Sequence, residues 1–178
     1  MKLLRTIRLD PSDTFIFPSA AEPGEWAISG AFVFSDVELA ALKGKEPAAF
    51  RSGFLGVPSF GWSTLAQVVE ASAKDRLTAI DLAARCLLDR FGAPDLAAAR
   101  KAAVEEIDFT ASLCDHPPDT LIAVHRKDEG GSIRETFRSL RPRGGAKRWR
   151  AFSFLDVEVE NEPARPVDLA TLAHGKRE

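Results

Sequence analysis

Hydrophobic residues alternate with polar ones near both ends of the chain and recur at helical spacing in its middle. The segments "LLRTIRLD" and "TFIF" read as short extended stretches broken at "DPSD", where Pro11 and its flanking aspartates favour a turn. In "EWAISGAFVF", Trp26, Ile28, Phe32 and Phe34 fall on one side of a predicted strand, with Gly30 between them as a bulge or close contact. Ser35 and Glu38 stand at capping-box spacing, which predicts a short helix in "SDVELAAL" that ends before "KGKEP".

The middle of the chain reads as one strand and two helices. "STLAQVVEAS" carries β-branched residues and an alternation of Leu65, Gln67 and Val69, so it is predicted as a strand, although Leu65, Val68 and Val69 also fit helical spacing. Ser72 with Asp75 then opens a helix whose Leu77, Ile80, Ala84, Leu87 and Phe91 share a face and whose stop is Gly92. After the short linker "GAP", a second helix places Leu96, Ala103, Val104, Ile107 and Ala111 on its buried stripe, giving a helical hairpin. "TLIAVHR" and "IRETFRSL" follow as a β-hairpin around "KDEGGS", where Gly130 and Gly131 supply positive φ, and "WRAFSFLDVEVE" is a last strand. Strands, paired helices and strands again predict an α+β fold, a mostly antiparallel sheet with a helical hairpin packed on one face. Residues 1–160 are read as a single domain and 161–178 as an irregular tail.

Composition adds mainly exclusions. The 178 residues are 45% hydrophobic and 28% charged, and a net charge of -2 argues against nucleic acid as a partner. Arg5 and Arg8 interrupt what would be a signal-peptide core, and no apolar run approaches the roughly 18 residues a membrane span needs. Two cysteines, Cys86 and Cys114, are too few for a disulfide scaffold, so a cytoplasmic location is expected. Tyrosine is absent, which removes one common general acid.

Three constellations could carry chemistry. "GVPSFGWST", Gly56 to Thr64, matches the phosphate-binding pattern G-x-x-x-x-G-K-[ST] except that Trp62 stands in the lysine slot. No continuous apolar strand precedes it and a strand, not a helix, is predicted after Ser63, so nucleotide hydrolysis is not expected. Phe60, Trp62 and Ser63 are instead candidate contact residues, the two aromatics facing one side of an extended loop toward a ligand or protein. "CDHPPD" gathers Cys114, Asp115, His116 and Asp119 but lacks the paired ligand spacing of a zinc site, and Cys114 falls on the buried side of its helix. No metal and no cofactor are expected. The run "RSLRPRGGAKRWR" holds six basic residues and no acid, and makes Arg138, Arg141 and Arg143 candidate binding residues on a loop between two strands.

The strings "SFGWSTLAQVVEAS", "FGAPDLAAARKAAVEE" and "SLCDHP" resemble a family of small proteobacterial proteins with no assigned activity. The resemblance covers most of the chain and supplies no catalytic motif. The family's association with gene neighbourhoods of formate dehydrogenase and lipoate-ligase-like proteins implies an accessory role beside a redox enzyme. The residues and the resemblance together suggest a non-enzymatic cytoplasmic binding or accessory protein with an unidentified protein partner. The alternative is a small-molecule enzyme or carrier acting on an anionic ligand, with Arg138, Arg141, Arg143 and the Gly56 to Ser63 loop around its pocket.

Overall fold

The computed structural model describes residues 1–142 and 155–160. Its main sheet has five strands in the order β1 (Lys2–Ile7), β5 (Leu65–Glu70), β6 (Leu121–Glu129), β7 (Ser132–Pro142) and β8 (Leu155–Glu160). A smaller sheet joins β2 (Ala27–Ile28), β3 (Phe54–Gly56) and β4 (Trp62–Ser63). Every ladder in both is antiparallel, and two long helices, α3 (Ala73–Phe91) and α4 (Leu96–Ser112), form the hairpin, so the fold is α+β as the pattern predicts. Among the described residues no helix is long and apolar enough to cross a membrane. The predicted irregular tail and the first part of the last predicted strand lie outside the described residues.

Local chemistry sets the helix ends. Ser72 Oγ accepts from the Asp75 amide at 3.1 Å while Asp75 Oδ2 accepts from the Ser72 amide at 2.9 Å, a complete capping box that also lowers the Asp75 pKa. Gly92, at φ 65°, closes α3, and Asp95 caps α4 by accepting from the Ala98 amide at 2.8 Å. The buried stripe of α3 is Ala79, Ile80, Ala83, Ala84 and Leu87, and that of α4 is Ala99, Ala102, Ala103, Glu106, Ile107 and Thr110. Leu77 and Leu96, expected on these stripes, are exposed: each precedes the buried residues of its helix, which begin at Ala79 in α3 and Ala99 in α4. Arg76 pairs with Asp108 and Arg100 with Asp81 across the exposed side of the hairpin.

The first sixty residues depart most from the prediction. "TFIF" is not extended: α1 (Ser12–Ile16) forms there, initiated by Asp10 Oδ1 accepting from the Ser12 amide at 2.8 Å, and its Asp13 is buried against Thr64. The strand expected through Phe34 ends at Ile28, since Gly30 turns the chain at φ 77° into a 3-10 turn over Ala31–Phe34. Trp26, Ile28, Phe32 and Phe34 still enter one core cluster. The helix expected from Ser35 is only a 3-10 turn at Leu39–Ala41, whereas α2 (Glu46–Ser52) begins where an interruption is predicted, with Pro47 in its first turn, where the missing amide hydrogen costs nothing.

The inner face of the main sheet follows strand parity. Ile122, Val124 and Arg126 of β6 lie opposite Ser139, Phe137 and Glu135 of β7, and all six are buried. Phe137 meets Phe54 of β3 at 6.3 Å between ring centroids and Phe109 of α4 at 5.8 Å. One ring therefore joins the main sheet, the small sheet and the helical hairpin.

Candidate functional site

The loop resembling a phosphate cradle is built by packing. A short strand does precede it, against expectation, but β3 has three residues and is antiparallel, and the chain leaves the loop through β4 into β5, not into a helix. No helix N-terminus therefore follows to meet a phosphate. A Cβ on Gly61 would stand 2.5 Å from the backbone of Ala20 and Ala21, and one on Gly56 would stand 2.8 Å from Ala21 Cβ. Both glycines are accounted for by this close approach of the chain around Ala20 and Ala21.

Trp62 is 6% exposed, with its amide donating to Ser19 O at 2.8 Å, its carbonyl accepting from the Ala21 amide at 2.9 Å, and its ring 5.4 Å from that of Phe34. Ser63 is buried, its Oγ 2.8 Å from Leu65 O and 3.1 Å from Ile7 O. Phe60 adopts φ 59°, so the extended backbone expected to put both aromatics on one side is absent. Its half-buried ring lies 5.5 Å from Phe91, with the Arg90 guanidinium 4.6 Å above it. In this arrangement neither Trp62 nor Ser63 is on a contact surface, and Phe60 closes the loop against the end of α3.

The "CDHPPD" corner is closed as well. Cys114 is 2% exposed, its Sγ lies 3.4 Å from Thr110 O, and burial pushes its pKa up to about 12, so it is a thiol at neutral pH. His116 is buried and its carbonyl accepts from Lys2 Nζ. Asp119 Oδ1 accepts from Gln67 Nε2 at 2.8 Å. Among the described residues, no three His, Cys, Asp or Glu side chains stand close enough to hold a metal.

The basic run is placed differently from expectation: Arg138 and Arg141 belong to β7 itself, not to a loop, because β7 pairs with β6 as far as Leu140 and with β8 as far as Pro142. The backbone of Arg141 pairs with Asp156, and Arg143 lies outside the described residues. Exposed Arg138 lies opposite Ala123, and His125 lies two positions further along β6. Ala123, His125 and Arg138 line a shallow depression of about 280 Å³ on the outer face of the sheet. The His125 pKa is lowered, first by partial burial and then by the positive charges of Lys127, Arg138 and Arg51. A neutral imidazole among three cations is a donor and acceptor set into a positive field, suited to a carboxylate or phosphate oxygen. His125 is the residue that the motif reading left aside, and its signal is parity with Ala123 on the exposed side of the strand.

The charged group most deeply set is Arg126. Its Nε donates to Glu135 Oε1 at 2.7 Å, its Nη1 to the carbonyls of Phe50 and Gly53 at 3.0 and 2.8 Å, and its Nη2 to Ser29 O. Ser29 Oγ donates to the same Glu135 oxygen. Every guanidinium nitrogen is engaged, so the pair is a bracket between the two sheets and leaves no donor for a ligand. The alternation Ile122, Val124, Arg126 contains the signal for it.

The chain belongs to a family of unknown function, DUF6505, whose model matches residues 1–153. No curated protein and no solved structure matches it.

Proposed function

We propose that this is a non-enzymatic, cytoplasmic binding protein whose contact surface is the outer face of β6 and β7, and that it takes an anionic partner there. The observation that carries the reading is the depression lined by His125 and Arg138, where the positive charges of Lys127 and Arg51 also act on His125. The contact moves away from Trp62 and Ser63, which are buried, and onto Arg138, which is exposed. Cys114 and His116 are both enclosed, so the "CDHPPD" corner presents no accessible thiol–imidazole pair, which supports binding over nucleophilic chemistry there. An accessory role toward a redox enzyme is part of the same reading and rests on the family resemblance.

The test is affinity capture from cells followed by native mass spectrometry, comparing wild type with Arg138→Glu. Arg138 is exposed, so the variant keeps the wild-type melting temperature, while capture falls at least several-fold and the wild-type complex weakens with added salt. A retained partner whose binding ignores both Arg138 and salt overturns the proposal.

A further inference from the structure

One carboxylate of α4 points into the core. Glu106 is 5% exposed and sits in the buried stripe between Ala102 and Thr110. Among the described residues its Oε2 has no hydrogen-bond partner, and neither has Thr110 Oγ1 one turn further on. The charges that act on it are those of Glu135 of β7, Arg126 of β6 and, from the exposed side of its own helix, Glu105. Arg126 is already engaged with Glu135, two carbonyls of the α2–β3 segment and Ser29, so it cannot serve a second carboxylate fully. The charges of neighbouring elements are directed elsewhere: Arg76 and Asp81 of α3 pair with Asp108 and Arg100, Arg5 of β1 donates to Gly24 O, and Lys2 donates to His116 O.

We propose that Glu106 is a proton-gated clamp: as a neutral acid it lets α4 seat against the sheet, and on losing its proton it loosens α4 from the Arg126–Glu135 bracket. A second negative charge buried beside Glu135 would have to share an Arg126 guanidinium whose donors are already taken, whereas the protonated form carries no charge to desolvate. Burial and the Glu135 charge accordingly raise the Glu106 pKa from 4.5 to about 8. The unfolded chain releases this proton near pH 4.5, while the folded chain keeps it to about pH 8. Between those values the folded state binds one proton more, so stability falls as pH rises through the window and levels off above it.

Thermal melts of the full chain from pH 5 to 9, with hydrogen exchange at pH 6 and 9 corrected for intrinsic rates, test the clamp. Wild type loses melting temperature across the window, and the amides of residues 96–112 lose protection before those of β6. Glu106→Gln, neutral and of the same shape, flattens the profile and keeps α4 protected at pH 9. Parallel profiles for the two proteins, or equal loss of protection in α4 and β6, overturn the proposal. Carboxyl-carbon NMR of the wild type decides the matter independently of the variant's folding. A Glu106 midpoint near neutrality or above supports the clamp, and one in the ordinary glutamate range removes it.

Discussion

Single residues in this chain are explained by what surrounds them, and their motifs mislead. Trp62 stands where a phosphate-binding lysine would, yet its ring lies beside Phe34 and its backbone is bonded on both sides to the segment around Ser19 and Ala21. Trp62→Ala is therefore expected to cost about 3–5 kcal/mol of stability, read as a lowered denaturant midpoint. Phe60→Ala is expected to cost less, because a half-buried ring against Phe91 and Arg90 loses less apolar burial. Equal losses at the two positions would mean that Phe60 is as deeply structural as Trp62. Thiol chemistry offers a second contrast: Cys114 is enclosed and held protonated, while Cys86 is half-buried with a pKa raised mainly by burial. A thiol-reactive probe at pH 8 is expected to label Cys86 first in the folded protein, and faster labelling of Cys114 would contradict the enclosed corner.

Elements were legible where a pattern ran long enough to outweigh its neighbours. The two long helices and β5 to β7 follow from periodicity, caps and the glycine pair at the hairpin, all of which are local signals. The short elements were not legible, because each is decided by a distant contact. α1 holds Asp13 against Thr64, and β2 ends where Gly30 turns beneath Trp62 and Leu55. A hydrophobic pattern identified the right core residues in "EWAISGAFVF" and the wrong backbone, since a strand and a 3-10 turn can bury the same four side chains. The capping box of α3 provides the element-scale test. Ser72→Ala is expected to cost about 1 kcal/mol in a denaturant melt. No change would indicate that packing against α4 alone defines the start of the helix.

At the scale of the molecule, what unites the architecture is the buried bracket, and the sequence disclosed it least readily because an arginine in a strand reads as an exposed residue. Arg126 of β6 reaches the ends of α2 and β3, the residue after β2, and Glu135 of β7, so one guanidinium spans both sheets. The outer face is governed by the opposite parity: His125 and Arg138 were within reach of the same alternation once β6 and β7 were paired, but only the register brings them together. The bracket predicts strong coupling. Arg126→Leu leaves Glu135 as a buried charge without its partner and removes the donors to the carbonyls of Phe50, Gly53 and Ser29, a loss expected to be about 3–5 kcal/mol. Adding Glu135→Leu removes the stranded charge and restores part of that stability, though not all of it, because the carbonyls still lack a donor. Denaturant melts of the wild type, both single variants and the double variant measure the cycle. A double variant no more stable than Arg126→Leu would mean that the carbonyl contacts carry the whole effect, with the ion pair contributing nothing to joining the sheets.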